Sequence, residues 1–174
     1  MKYYIDTEFH EYKKNGVNTI ELISIAIVTD KGNELYLVSY EFDLAAACKN
    51  EWLHDNVIKK LPIIEEWVSL EYIKEEILKL TRMMDKCEFY GYFCDYDWVV
   101  FCWLFGRMID LPGNFPMFCI DLKQMMEERG LDKEWKRQNC PEDHTEHNAL
   151  ADARWNAKLH TAINKHGLIV LLYR

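Results

Sequence analysis

Glycine and proline are scarce in this chain, seven and four among 174 residues. No Pro/Gly-rich linker divides the sequence, and neither a P-loop nor a dinucleotide glycine fingerprint can be assembled from so few glycines. No run of about 18 uncharged apolar residues is present, which argues against a membrane-spanning helix and a membrane partner. The N-terminus turns acidic at Asp6, too early for a signal peptide. Positive charge is also short. Lys and Arg number 21 against 29 Asp and Glu, a net charge of -8. That balance removes any broad electrostatic attraction to nucleic acid. It leaves room for an enzyme whose clustered carboxylates await cations, because bound metal reverses the local sign.

Cysteine is present but unpaired in pattern. The six cysteines form no Cys-x-x-Cys and most lie in apolar runs, as expected for free thiols in a reducing cytoplasmic setting. Cys140, His144 and His147 lack an apparent fourth zinc ligand, and their spacing fits no common zinc module. The hydrophobic fraction is 49% and the aromatic fraction 14%, enough for one sizeable core. Residues 1–174 are therefore expected to form a single domain.

Residue patterning predicts three consecutive strands over Lys2–Phe9, Thr19–Thr29 and Glu34–Phe42, with Asn15-Gly16 and Lys31-Gly32-Asn33 as turns. Glu51–Lys60 is predicted as a short helix. Leu70, Ile73, Ile77, Leu80 and Met84 recur at helical spacing after Ser69, an N-cap. A short strand over Glu88–Phe93 precedes a buried apolar helix over Asp97–Met108. A last strand, Met117–Ile120, precedes a helix over Asp121–Arg129 stopped by Gly130. Leu131–Glu146 reads as a polar loop, and Ala149–His166 as a long helix ended by Gly167. This order implies an α/β fold, a mixed central sheet with helices on both faces.

Acidic residues stand out against that background. Asp6 and Glu8 are two apart on a predicted strand, so they share a face, with Tyr3, Ile5 and Thr7 on the other. Carboxylates are poor strand formers and costly when half-buried, and a divalent cation between them would offset that cost. Asp97 opens a predicted helix, where an acid complements the dipole, and Asp95 competes for the same role. His147 precedes Asp152 by five residues. On one helix they would diverge by about 140°, so His147 belongs on the incoming loop. Ala149, Ala151 and Ala153 keep the neighbouring helix slim. Hard cations such as Mg²⁺ and Mn²⁺ take oxygen ligands, and a histidine can deprotonate water near neutral pH. Lys133, Lys136 and Arg137 precede His147 and could meet a phosphate backbone, with Trp135 stacking on a base, although an ordinary solvated loop is the stronger reading.

In order and setting, Asp6-Thr7-Glu8, Asp97 and His147 to Asp152 resemble the three motifs of the DEDDh 3′-5′ exonucleases. Tyr4 to Phe9, Thr19 to Ile25, Leu61-Pro62 and Tyr96-Asp97 are similar to the small mycobacterial-type 3′-5′ exoribonucleases. The resemblance selects Asp97 over Asp95 and implies a ribonuclease H-like fold. It further implies two divalent cations, Mg²⁺ or Mn²⁺, on Asp6, Glu8, Asp97 and Asp152, with His147 as general base. RNA 3′ ends would be the substrate and a homodimer the assembly; Phe9, next to the metals, could touch the terminal base or sugar or equally belong to the core, and Ser24 is a further candidate substrate contact. DNA or short oligonucleotides are the alternative substrates. A non-catalytic nucleic-acid-binding or scaffold protein is the alternative class, disfavoured because binding alone does not need the five site residues.

Overall fold

A computed structural model describes residues 1–142 and 147–172. Five strands form one mixed sheet in the order β3-β2-β1-β4-β5. They are β1 (Lys2–Lys14), β2 (Val17–Thr29), β3 (Glu34–Val38), β4 (Glu88–Gly91) and β5 (Ile120–Asp121). β1 is antiparallel to β2 and parallel to β4, and β4 is parallel to β5. The helices are α1 (Leu44–Ala47), α2 (Glu51–Asn56), α3 (Leu70–Thr81), α4 (Asp95–Trp103), α5 (Leu122–Glu128), α6 (Lys133–Asn139) and α7 (Ala149–Leu172).

Strand alternation divides the core. Tyr3, Ile5, Ile25 and Ile27 point to one face and pack with Ile73 and Ile77 of α3 and Trp98 and Phe101 of α4. Tyr4, Ala26 and Val28 point to the other, against Leu122 and Met126 of α5 and Leu159 and Ile163 of α7. The predicted α/β, ribonuclease H-like arrangement with helices on both faces is thus present. A third cluster holds Ile23 beside Phe42, Ala47, Leu53 and Val57, and so anchors α1 and α2 at the edge of the sheet.

Several predicted boundaries move. β1 and β2 run past Phe9 and Thr19 to meet at Asn15 and Gly16, both at positive φ (52° and 81°), as the tightest hairpin turns require. The helix expected over Glu51–Lys60 breaks at Val57 and ends as a 3₁₀ turn. The helix expected over Asp97–Met108 starts earlier and stops at Trp103. It is buried on one side only, for Tyr96, Val99 and Trp103 are exposed. Part of the expected polar loop is α6, whose N-cap Asp132 accepts from the Trp135 N–H at 2.8 Å. Gly130 stops its helix at φ 67°, whereas Gly167 has no positive φ and α7 continues through it. His144 and Glu146 lie outside the described residues.

Candidate metal centre

β1 is the central strand, and its Tyr4, Asp6 and Glu8 point toward α7. That helix docks through a stripe of small and polar residues. Ala149 and Ala153 are fully buried against the sheet, and Asn156 Nδ2 donates to the Ile5 carbonyl at 2.9 Å. Further along, Tyr4 Oη and His160 Nδ1 lie 2.9 Å apart. Asn148 starts α7, its Oδ1 accepting from the Ala151 N–H at 3.1 Å. Asp152, in the first turns, is thereby aimed at β1. Asp6, Glu8 and Asp152 each bring a carboxylate oxygen within 4.8 Å of the others.

Asp97 stands outside that triplet. Its Oδ1 accepts from the Thr7 N–H at 2.8 Å and from Thr7 Oγ1 at 2.7 Å. The residue between the two strand acids therefore holds the helix acid. Asp97 is not the cap of α4, as a first-turn acid on this sequence could be; Cys94 takes the N-cap position without a side-chain bond.

The electrostatics are those of crowded, buried carboxylates. Burial, then repulsion from Asp97, Asp152 and Glu8, drives the Asp6 carboxyl well above the usual carboxylate range. Burial and the charges of Asp152 and Asp97 push Glu8 up to about 8, opposed by Lys60. Burial lifts Asp97 to about 6, although the two bonds from Thr7 favour its charged form. Crowded, half-buried oxygen donors with raised pKa values match a hard divalent cation, which would remove the repulsion.

His147 lies on a bend before α7, as predicted. Its φ is 64°, and its N–H donates to Asp152 Oδ2 at 3.0 Å. Its ring meets Trp52 of α2 edge-on, with centroids 4.8 Å apart. Asp6, Asp152 and His147 line a pocket of about 210 Å³ with Tyr92, Glu142, Trp155 and Asn156. Phe9 and Ser24 do not line it. Phe9 stacks on Tyr96 at 5.8 Å, beside Glu8. Ser24 pairs opposite Glu8 across β1 and β2 and has no exposed surface.

Thr7, Trp52, Lys60 and Tyr92 were not legible as site residues. Thr7 carried a signal in its place between two acids, but its partner lies 90 positions away in sequence. Trp52 and Lys60 flank a segment held by the cluster of Ile23, Phe42, Ala47, Leu53 and Val57, far in sequence from the acids.

An acid pair on the central strand, a third acid on a helix packed against it and a histidine at the helix entrance make a candidate metal site on a ribonuclease H-like α/β fold. The family model for the 3′-5′ exoribonuclease Rv2179c-like domain matches residues 1–164, and the chain belongs to that family. It is similar to the 3′-5′ exoribonuclease Rv2179c of Mycobacterium tuberculosis strain H37Rv, with 39% identity over 158 residues, 88% of each chain. The same values hold for the 3′-5′ exoribonuclease MT2234.1 of Mycobacterium tuberculosis strain CDC 1551.

Proposed function

We propose that this protein is a metal-dependent 3′-5′ exoribonuclease that releases nucleoside 5′-monophosphates from RNA 3′ ends. The observation that carries this reading is the convergence of Asp6, Glu8 and Asp152 within 4.8 Å, in a chain whose relatives are named for that activity. Asp6, Glu8, Asp97 and Asp152 would hold two divalent cations, Mg²⁺ or Mn²⁺. Bound there, they supply positive charge to the attacking and leaving oxygens of an in-line displacement at phosphorus.

The chain's own groups prepare the rest. His147 accepts the proton of the attacking water. The bond from its N–H to Asp152 and the Trp52 ring hold His147 itself, so the imidazole is positioned from the backbone and from one side. Water adds at phosphorus, the linkage to the preceding 3′ oxygen breaks, and that oxygen leaves with a proton from solvent. Thr7 fixes Asp97, so the fourth acid keeps its place relative to the strand pair. Phe9, stacked on Tyr96 next to Glu8, offers an apolar ring to the terminal nucleotide.

Matched RNA and DNA duplexes with 3′ overhangs, incubated with Mn²⁺, Mg²⁺ or EDTA, test the reading. A ladder shortening from the RNA 3′ end only with metal is expected. Equal or faster loss of DNA would favour the deoxyribonuclease alternative. Binding without turnover in either metal would favour a scaffold. Sedimentation of the same preparation reports whether the active species is a dimer.

A further inference from the structure

Three cations sit on α6, and the fold separates them. Lys133 and Arg137 are exposed, and Arg137 is paired with Glu134 on the same helix. Lys136 is turned inward, its side chain only 13% exposed. Its ammonium lies over the Tyr92 ring at 4.7 Å and the Trp155 ring at 5.2 Å. It donates to Tyr92 Oη at 3.3 Å and forms an ion pair with Glu142.

Those three partners, Tyr92, Trp155 and Glu142, all line the pocket that also holds Asp6, Asp152 and His147. Lys136 therefore stands behind the Tyr92, Trp155 and Glu142 part of that wall, in a chain with an acidic balance. A desolvated ammonium held between aromatic faces loses little entropy on meeting a ligand. Its carboxylate partner is 40% exposed, and a phosphoryl group can replace it oxygen for oxygen.

We propose that Lys136 is a substrate-phosphate contact of this site. Its ammonium leaves Glu142 and takes a phosphoryl oxygen of the nucleotide whose linkage lies at the acidic cluster. The location of the reacting linkage rests on the proposed nuclease reading; the anion contact itself does not. Loss of one charge-assisted hydrogen bond would weaken binding about ten- to a hundredfold.

The test pairs kinetics with binding of two probes, adenosine 5′-monophosphate and adenosine. Lys136→Met should raise KM for an RNA 3′ overhang by about ten- to a hundredfold, with kcat within about twofold. Its affinity for adenosine 5′-monophosphate should fall by a similar factor, while that for adenosine stays unchanged. Lys136→Arg should restore most of the loss, and Lys133→Ala and Arg137→Ala should behave as wild type. An unchanged KM and nucleotide affinity in folded Lys136→Met overturns the proposal. So does an equal loss for both probes, which marks a packing role only. If Lys136→Met does not fold, Glu142→Gln decides: the phosphate probe should bind more tightly, and unchanged or weaker binding refutes the exchange. An inactive wild type would sink the nuclease reading, yet the two-probe titration would still decide the role of Lys136.

Discussion

Glu8→Gln should stabilise the metal-free protein, against the usual direction of a substitution at a buried site. The Glu8 carboxyl rises from 4.5 to about 8 on folding. Above pH 4.5 the unfolded chain releases this proton while the folded protein holds it. The contribution to stability is therefore complete below pH 4.5 and is lost as the pH rises through 8. At about 1.4 kcal/mol per pH unit, the cost accumulated by pH 7 is about 3 kcal/mol. Screening by water and buffer cations makes this a ceiling. Glutamine keeps the shape and removes the titration. In a protein of this size each kcal/mol moves Tm by about 2–4 °C, so a rise of up to about 6–12 °C in EDTA at pH 7 is expected. Urea unfolding from pH 5 to 8 should show wild type weakening with pH more steeply than the variant. Mn²⁺ should then stabilise wild type and do little for Glu8→Gln. Equal stability in EDTA, with the same pH slope for both proteins, would refute the account of this site as a cluster of mutually repelling acids.

Thr7→Val keeps the strand and removes the hydroxyl bond to buried Asp97, which should cost about 2 kcal/mol in urea unfolding and lower activity together with it. Undiminished stability would show that the backbone N–H alone holds Asp97. His147→Ala should slow hydrolysis by about 10² to 10⁴-fold while calorimetry shows metal binding retained; parallel loss of metal would instead make His147 a ligand. His160 is buried, and that burial lowers it from 6.5 to about 4. Its folded value is depressed, so its contribution is present above pH 6.5 and is lost as the pH falls through 4. That amounts to about 3 kcal/mol. His160→Gln should flatten this acid limb of the stability profile, and an identical limb would refute it.

The site was legible where local geometry decides it. Period two put Asp6 and Glu8 on one face of β1, and the turn angle of an α-helix moved His147 off α7. Both follow from a few neighbouring residues. Asp97 was placed by resemblance, because its role depends on Thr7 across the interface between β1 and α4. α6 was missed for a related reason. Glu134 and Arg137 pair along the helix, and the segment shows no apolar stripe to betray the period. Gly167 misled because a glycine is a stop only when the backbone turns left-handed there. Burial of α4 was overestimated because its apolar run covers every side of the helix, and composition cannot say which side meets the sheet.

The triplet draws Asp6 and Glu8 from the first strand and Asp152 from the last helix. During synthesis the strand acids emerge before α7 exists. A nascent chain therefore holds two of the three clustered acids and cannot close the set. The proposed nuclease thus stays disarmed beside its own message until α7 docks.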